Sequence, residues 1–215
     1  MKLSKSKWLI ILGAVLVVID QIFKILVKTN MTYGQIIPVI GNWFNLCFIE
    51  NEGMAFGMKF GGVVGKYILT IFRIVLSGFL CWWISSLAKK NAPTGVLVGL
   101  TLIAAGALGN VIDCLFYGLI FTPSGWDTAV ATFGGHYAPF MQGKVVDMLY
   151  FPIIDTYWPD WMPFVGGRHF TFFDPVFNFA DSCVTVGAFY LVLFKWRFFA
   201  SEADGDSKQK AEKKK

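Results

Sequence analysis

Charged residues, cysteines and histidines are all scarce in this chain. Only 15% of its 215 residues are charged, against about a quarter in an average soluble domain. The four cysteines lie far apart without a C-x-x-C spacing, so we expect neither a disulfide framework nor a zinc site. The two histidines, His136 and His169, belong to no HExxH or Ser/His/Asp pattern, which argues against a zinc peptidase and a serine hydrolase.

Apolar and aromatic side chains are abundant instead. Hydrophobic residues make up 55% of the chain and aromatic residues 17%, and the mean hydropathy is +0.57. This composition excludes a disordered tail, a collagen and a soluble nucleic-acid-binding module, although the net charge is +5. It indicates a polytopic membrane protein.

Four apolar runs approach the roughly 20 residues that a helix needs to cross a bilayer. They cover residues 8–27, 67–88, 96–121 and 177–199. We therefore expect an all-α membrane domain over residues 1–200, with a charged tail over residues 201–215. Two outer segments, residues 28–66 and 122–176, would connect the helices on the other side of the membrane from the tail.

The lysine and arginine residues orient this bundle, because such residues accumulate on the cytoplasmic side of membrane proteins. Twelve of them lie on the side that carries both termini, and five lie in the two outer segments. Both termini should then be cytoplasmic, and the tail should be a solvated, disordered end.

The two outer segments carry different structural signals. Residues 36–49 alternate between apolar and polar side chains, interrupted by Pro38 and Gly41, which predicts short strands. Residues 122–176 are rich in Trp, Tyr, Pro and Gly and are too long for a simple connector. We interpret their aromatic side chains as an interfacial belt or a small folded cap in preference to a binding site.

Seven polar side chains fall inside the predicted spans, where an ionisable group costs about 2.5–3.5 kcal/mol. They are Asp20, Lys24, Arg73, Asn110, Asp113, Asn178 and Asp181. At a rise of about 1.5 Å per residue, Asp20 and Asp113 lie about 18 Å and about 26 Å across a core of about 30 Å, counted from the cytoplasm. Asp181 lies about 6 Å below the outer surface, so the three carboxylates converge on the outer leaflet.

The spacing of these residues favours a shared site. Asn110 and Asp113 are three residues apart, as are Asn178 and Asp181, so two helices each present an Asn-x-x-Asp face. Asp147 lies in the outer segment and could reach the same level. A carboxylate pair in a partly desolvated pocket shares one proton, so it can activate water while its protonated member polarises a carbonyl.

Structural roles remain as alternatives to this site. Buried Asn and Asp side chains can simply bond helices to one another. Asp20 and Lys24, four residues apart, are explained equally well by an internal ion pair in the first helix and by a role in the site.

Five short motifs in one order resemble the bacterial lipoprotein signal peptidases, also called signal peptidase II. They are DQIFK at 20–24, NEGMAF at 51–56, GALGNVID at 106–113, GKVVD at 143–147 and FNFADS at 177–182. Each motif alone is weak, but together they cover most of the chain between residues 20 and 182, and their combination is specific.

This resemblance implies a four-helix aspartyl peptidase in the bacterial inner membrane, with cytoplasmic termini, a small extracytoplasmic β-cradle and an active site near the outer leaflet. Its substrates would be prolipoproteins that carry diacylglycerol on the cysteine after the cut. Asp147 and Asp181 are implied as the catalytic pair. Other residues of the motifs would line or support the site: Asn51, Gly53, Asn110, Asp113, Asn178, Asp20 and Lys24.

The chain departs from the family pattern in two respects. Cys114 follows Asp113 where the family usually has Arg. The segments 122–142 and 149–176 are also longer than is usual between these motifs, so the outer loop is enlarged.

The sequence thus predicts an intramembrane aspartyl endopeptidase. It would be a monomer that acts on lipid-modified prolipoproteins among membrane lipids, with no metal, cofactor or nucleic acid. A proton-coupled transporter is the main alternative, because carboxylates inside a bundle also form proton relays. The four spans, the lack of an inverted repeat and the one-sided clustering of the acids argue against it. A structural four-helix scaffold is a third interpretation, and it predicts that substitution of Asp147 and Asp181 is tolerated.

Overall fold

A computed structural model describes residues 4–41, 43–52, 62–132, 134, 137–172 and 175–212. Within these residues, four helices are long and apolar enough to cross a membrane, as predicted. They are α1 (Lys5–Asn30), α2 (Gly62–Lys89), α3 (Thr94–Ile120) and α4 (Phe179–Glu212), whose apolar part ends at Ala200.

Each of the four helices extends beyond its predicted span at one end or both, and α2 begins five residues early, at Gly62. Helix α1 continues to Asn30 and includes Lys28, which the sequence analysis assigned to the outer segment. The Lys28 side chain is fully buried and paired with a carboxylate, so its charge does not end the helix. Helix α4 continues through residues 201–212, where a disordered tail was expected. The Glu, Lys, Gln and Ala residues of this tail are good helix formers.

The turn between α2 and α3 has a clear cause in the sequence. Asn91 adopts a left-handed conformation with φ of 56°. Its N–H donates to the Ala88 carbonyl at 3.2 Å, and the Ala92 N–H donates to the Leu87 carbonyl at 3.0 Å. These two bonds form a Schellman motif, and Pro93 then prevents the helix from continuing.

The predicted small β element is present as two antiparallel sheets in the described part of the chain. The four-stranded sheet has the order β1-β2-β3-β6, and β4 pairs with β5. The strands are β1 (Ile36–Ile40), β2 (Phe44–Asn51), β3 (Val145–Tyr150), β4 (Ile154–Tyr157), β5 (His169–Phe172) and β6 (Val176–Phe177). The fold is therefore mainly helical, with strands in both predicted outer segments.

The chain divides into two compact units, each with its own apolar core. The first unit comprises residues 1–19, 73–109 and 180–215, and the second comprises residues 20–72 and 110–179. The core of the first unit contains Leu9, Leu87, Ala92, Val96, Leu97, Leu100 and Leu191. The core of the second contains Val27, Met31, Phe48, Tyr117, Phe121, Val146 and Met148.

In the first unit, α3 and α4 approach closely at glycines. A Cβ at Gly106 would overlap the Ala180 carbonyl, and a Cβ at Gly187 would lie 2.8 Å from the Gly99 carbonyl oxygen. Small residues allow such close backbone contacts in membrane helix bundles. In the apolar 18-residue stretch of α3, 56% of the residues are buried, against 17% in the corresponding stretch of each of the other three helices. Helix α3 is therefore the most buried of the four.

Candidate active site

The ammonium group of Lys24 is the centre of a buried polar cluster in the second unit. Lys24 is fully buried, and its Nζ lies 2.9 Å from Asp20 Oδ2 and 2.8 Å from Asp113 Oδ2. It also donates a hydrogen bond to Asn110 Oδ1 at 2.8 Å. The predicted pairing of Asp20 with Lys24 is therefore present, and it is joined to α3 through Asp113 and Asn110.

Asp113 connects the two helices to strand β3. Gln21 Nε2 donates to Asp113 Oδ1 at 3.0 Å, and the Val146 backbone N–H donates to Asp113 Oδ2 at 3.3 Å. The Tyr117 hydroxyl in turn donates to Gln21 Oε1 at 3.0 Å. Hydrogen bonds to an ionised carboxylate are stronger than neutral ones, so Asp113 holds α1, α3 and β3 in a common arrangement.

A π-helical turn in α3, Asp113–Tyr117, begins at this carboxylate. Such turns are rare and often occur at functional sites. The Gly143 N–H donates to the carbonyl of Cys114 at 2.9 Å, and a Cβ at Gly143 would overlap the Asp113 carbonyl. Only glycine therefore allows the chain to cross the π-helical turn immediately before it enters β3.

Asp147 lies within strand β3, where it is 3% exposed and opposite Ile49 of β2. The sequence predicts an outer-loop position for this residue, so its place in a strand is a correction. Asn178 Nδ2 donates to Asp147 Oδ1 at 2.7 Å and to Asn110 Oδ1 at 3.2 Å. Asn110 Oδ1 thus accepts from both Asn178 and Lys24, which links the Asp147 carboxylate to the Lys24 cluster.

The remaining predicted site residues are Asn51, Gly53 and Asp181. Asn51 is the last residue of β2 and pairs with Val145 of β3. Gly53 lies outside the described residues. Asp181 is in the first turn of α4, is partly exposed and belongs to the first unit. The structure therefore brings together Asp20, Lys24, Asn110, Asp113, Asp147 and Asn178.

A second buried charge cluster, which the sequence did not predict, lies around Lys28. Lys28 forms an ion pair with Glu50, and their side chains are 0% and 5% exposed. Lys28 Nζ also donates to Ser124 Oγ at 2.8 Å. The spacing of Asp20, Lys24 and Lys28 by four residues could have revealed that Lys28 continues the same polar face of α1.

Aromatic rings complete the surroundings of Lys28. Its Nζ lies 4.9 Å from the ring centroid of Tyr137, 5.3 Å from that of Phe121 and 5.9 Å from that of Phe48. The Tyr137 hydroxyl accepts a hydrogen bond from the Lys144 N–H at 2.8 Å. Burial raises the pKa of Tyr137, so its phenol stays neutral at physiological pH.

No metal site is evident among the described residues, since no group of three His, Cys, Asp or Glu side chains converges there. The donor set of the site is carboxylate, amide and ammonium. These groups can bind and transfer protons and can donate hydrogen bonds.

Comparisons with known proteins bear on the family and the fold of this chain. The profile of the family described as Signal peptidase (SPase) II matches residues 12–197. A lipoprotein signal peptidase of Porphyromonas gingivalis is 44% identical over 206 residues, which are 95% of this chain and 89% of that protein. One of Amoebophilus asiaticus is 40% identical over 182 residues, which are 83% of this chain and 73% of the relative.

A solved structure supports the fold independently. It is described as a bacterial membrane enzyme studied by the in meso method at 2.3 Å resolution. It is similar to this chain with a TM-score of 0.58 at 23% identity, and the similarity covers 91% of each chain. The comparisons give no support to the transporter alternative. The family match over residues 12–197 and the 44% identity to the Porphyromonas gingivalis relative over 95% of this chain show that the chain belongs to the signal peptidase II family, whose members are proteases.

Proposed function

We propose that this chain is an aspartyl endopeptidase that removes the signal peptide from diacylglyceryl-modified prolipoproteins, cutting before the lipid-bearing cysteine. The observation that carries the proposal is a buried carboxylate, Asp147, held by an amide that is itself part of a buried polar network. Relatives named lipoprotein signal peptidases support prolipoproteins as the substrate class.

Asp147 and Asp181 are the proposed catalytic pair. Asn178 holds Asp147 through a 2.7 Å hydrogen bond, and Asp181 follows Asn178 by three residues, in the first turn of α4. An α-helix has about 3.6 residues per turn, so the step from Asn178 to Asp181 is less than one turn.

The start of α4 is attached to α3 on both sides of its first residue, Phe179. Before it, Asn178 donates to Asn110 at 3.2 Å. After it, the Ala180 carbonyl lies against Gly106, one turn earlier on α3. These attachments support a fixed position for Asp181, the next residue of the chain.

In the proposed reaction the two carboxylates share one proton. The ionised member removes a proton from water, whose oxygen attacks the scissile carbonyl carbon while the protonated member donates its proton to the carbonyl oxygen. Collapse of the tetrahedral intermediate breaks the C–N bond, and the departing amine of the lipid-bearing cysteine takes the proton that came from water. The hydroxyl proton returns to the other carboxylate, which restores the singly protonated pair.

Asn51, Gly53, Asn110, Asp113 and Asn178 are the proposed lining of this site, and Asp20 and Lys24 its support. Lys24 already joins Asp20, Asp113 and Asn110 within hydrogen-bonding distance. Such a fully connected polar network favours one arrangement of its members, because an unpaired buried polar group is costly.

We further propose that the enzyme is a monomer among the lipids of a bacterial inner membrane, with cytoplasmic termini and its site near the outer leaflet. Trp126 is 98% exposed, so a cysteine there should react with an impermeant reagent outside intact cells when the native cysteines are replaced. A cysteine at Ser207 should be protected, and the reverse pattern would contradict the orientation. Light scattering in detergent should give the mass of one 24.1 kDa chain.

Cleavage of a defined precursor by the purified protein in detergent tests the proposed activity. The lipidated prolipoprotein should be cut before its modified cysteine, and the same precursor without lipid should remain intact. EDTA should leave the rate unchanged, because the proposed chemistry uses only carboxylates and water. An uncut lipidated precursor, or a loss of activity in EDTA that zinc restores, would contradict the proposal.

A further inference from the structure

The Lys28 cluster has no part in the proposed chemistry, yet it buries two full charges. Glu50 Oε1 accepts hydrogen bonds from Lys28 and, at 2.8 Å, from Ser124 Oγ. Lys144 Nζ lies 3.7 Å from Glu50 Oε2, with its side chain 37% exposed. Burying an ion pair is expensive, and a well-packed apolar pair is often at least as stable, so stability alone gives little reason for the cluster.

The cluster is connected to Asp147 through the β-sheet. Glu50 of β2 pairs with Val146 of β3, and the preceding residue, Ile49, pairs with Asp147. The Val146 N–H also donates to Asp113. The position of Glu50 therefore fixes the part of β3 that carries the proposed catalytic carboxylate, because strand register sets the face to which each side chain points.

The cluster also fixes the start of the enlarged outer loop. Ser124 lies between α3 and β3 and bonds both Lys28 and Glu50. Its neighbour Gly125 accepts a hydrogen bond from the Tyr33 N–H at 3.0 Å, just beyond the end of α1. One hydroxyl thus joins helix α1, strand β2 and the loop.

We propose that Lys28, Glu50 and Ser124 are positioning residues, which lock the outer loop onto β2 and so hold β3 and Asp147 in their reactive arrangement. The inference rests on the proposed function, since it assigns these residues to the geometry of that site. Lys24 and Lys28, one turn apart on α1, then have different roles. Lys24 organises the carboxylates of the helices, and Lys28 holds the strand that carries Asp147.

This role predicts an effect on turnover more than on substrate binding. A displacement of about 1 Å in a catalytic group can lower a rate by about 100-fold. The proposal gives the Lys28 cluster no contact with the substrate, so KM should change little. A cluster that only stabilised the fold would leave kcat normal in any variant that remains folded at the assay temperature.

The main variant removes both charges together, as Lys28→Met with Glu50→Gln. Single replacements would leave a buried charge without its partner, and the double replacement avoids this. Ser124→Ala is a milder variant that removes only the hydroxyl. Lys90→Met is the matched control, because it removes one lysine at an exposed position in the turn after α2.

Steady-state cleavage of the lipidated precursor would be measured for all four proteins, together with amide hydrogen exchange. We expect kcat to fall about tenfold or more in the double variant and about threefold in Ser124→Ala, with KM within about twofold of wild type. Exchange should accelerate in residues 122–132 and at Val146 and Asp147. Lys90→Met should match wild type in every readout.

Wild-type kcat in a folded double variant and in Ser124→Ala would overturn the positioning role while leaving the proposed function intact. If the double variant does not fold, Ser124→Ala decides the question, and normal turnover with unchanged exchange at Val146 and Asp147 would overturn the role. An inactive wild-type enzyme would instead overturn the proposed function itself.

Discussion

Each of the two compact units is stabilised internally by a different kind of contact. In the first unit, α3 and α4 meet at Gly99, Gly106 and Gly187, and the core consists of aliphatic side chains. In the second unit, the helices are joined through the ammonium of Lys24 and the carboxylate of Asp113, both fully buried.

This difference reflects what each kind of contact can do inside a membrane. Lipid tails are as apolar as leucine, so helices associate there through close packing at small residues or through hydrogen bonds. Close packing holds a helix pair without any charged group. A satisfied polar network also sets the orientation of its members, and a reaction at carboxylates requires such orientation.

The two kinds of contact do not belong to different helices, because one helix can contribute to both units. Helix α3 contributes Gly106 to the packed unit and Asn110 and Asp113 to the polar one. A helix can therefore be fixed at one level by glycine packing and present polar groups one turn later.

Removal of the central charge should have the largest effect on stability. Lys24→Met leaves Asp20 and Asp113 buried without their ammonium partner, so we expect the free energy of unfolding in mild detergent to fall by about 3–5 kcal/mol. Lys90→Met, at an exposed site, should change it by less than about 0.5 kcal/mol. Equal stability of the two variants would show that the Lys24 cluster does not hold the second unit together.

A methyl group added at a close contact should distinguish the two units. Gly187→Ala and Gly143→Ala both place a Cβ closer than 3.0 Å to a backbone carbonyl oxygen, and each should cost about 1–3 kcal/mol. Only Gly143→Ala should also lower kcat when both are compared in their folded range, because Gly143 leads directly into β3.

Gly78→Ala is the control for both variants. No atom lies within 4 Å of a Cβ at Gly78, and alanine in a helix is favoured over glycine by about 0.5–1 kcal/mol. It should therefore stabilise the protein slightly. Equal losses of kcat in Gly187→Ala and Gly143→Ala would remove the functional distinction between the two units.

The smallest effect is expected at the edge of the polar network. Tyr117→Phe removes only the hydroxyl that donates to Gln21, which should cost about 0.5–1.5 kcal/mol in chemical unfolding and leave cleavage within about threefold of wild type. A loss of more than about tenfold in kcat at unchanged stability would show that the Tyr117 hydroxyl affects the reaction more strongly than we infer.

Hydropathy was sufficient to predict the four helices, and the alternation of residues 36–49 was sufficient to predict strands there. The spacing of Asp20, Lys24, Asn110 and Asp113 indicated which faces carry polar groups, and these groups do meet. Local periodicity is set by the chain itself, so it can be recognised without tertiary information.

Other features depend on contacts between distant parts of the chain. Lys28 is helical and buried because Glu50, 22 residues away, neutralises it, and no local pattern reveals that partner. Asp147 belongs to a strand because it pairs with β2 across almost 100 residues. The π-helical turn at Asp113 likewise accompanies the crossing of Gly143 over α3.

The most direct test of the central claim compares three aspartates in one assay of the lipidated precursor. Asp147→Asn and Asp181→Asn should each lower kcat by about a thousandfold or more, and the double variant should be little worse, because residues that act as a unit are not additive. Both single variants should still bind the precursor. Asp113→Asn should retain measurable turnover, with its main loss in stability. Near-normal cleavage by Asp147→Asn or Asp181→Asn, together with a folded but inactive Asp113→Asn, would contradict this account.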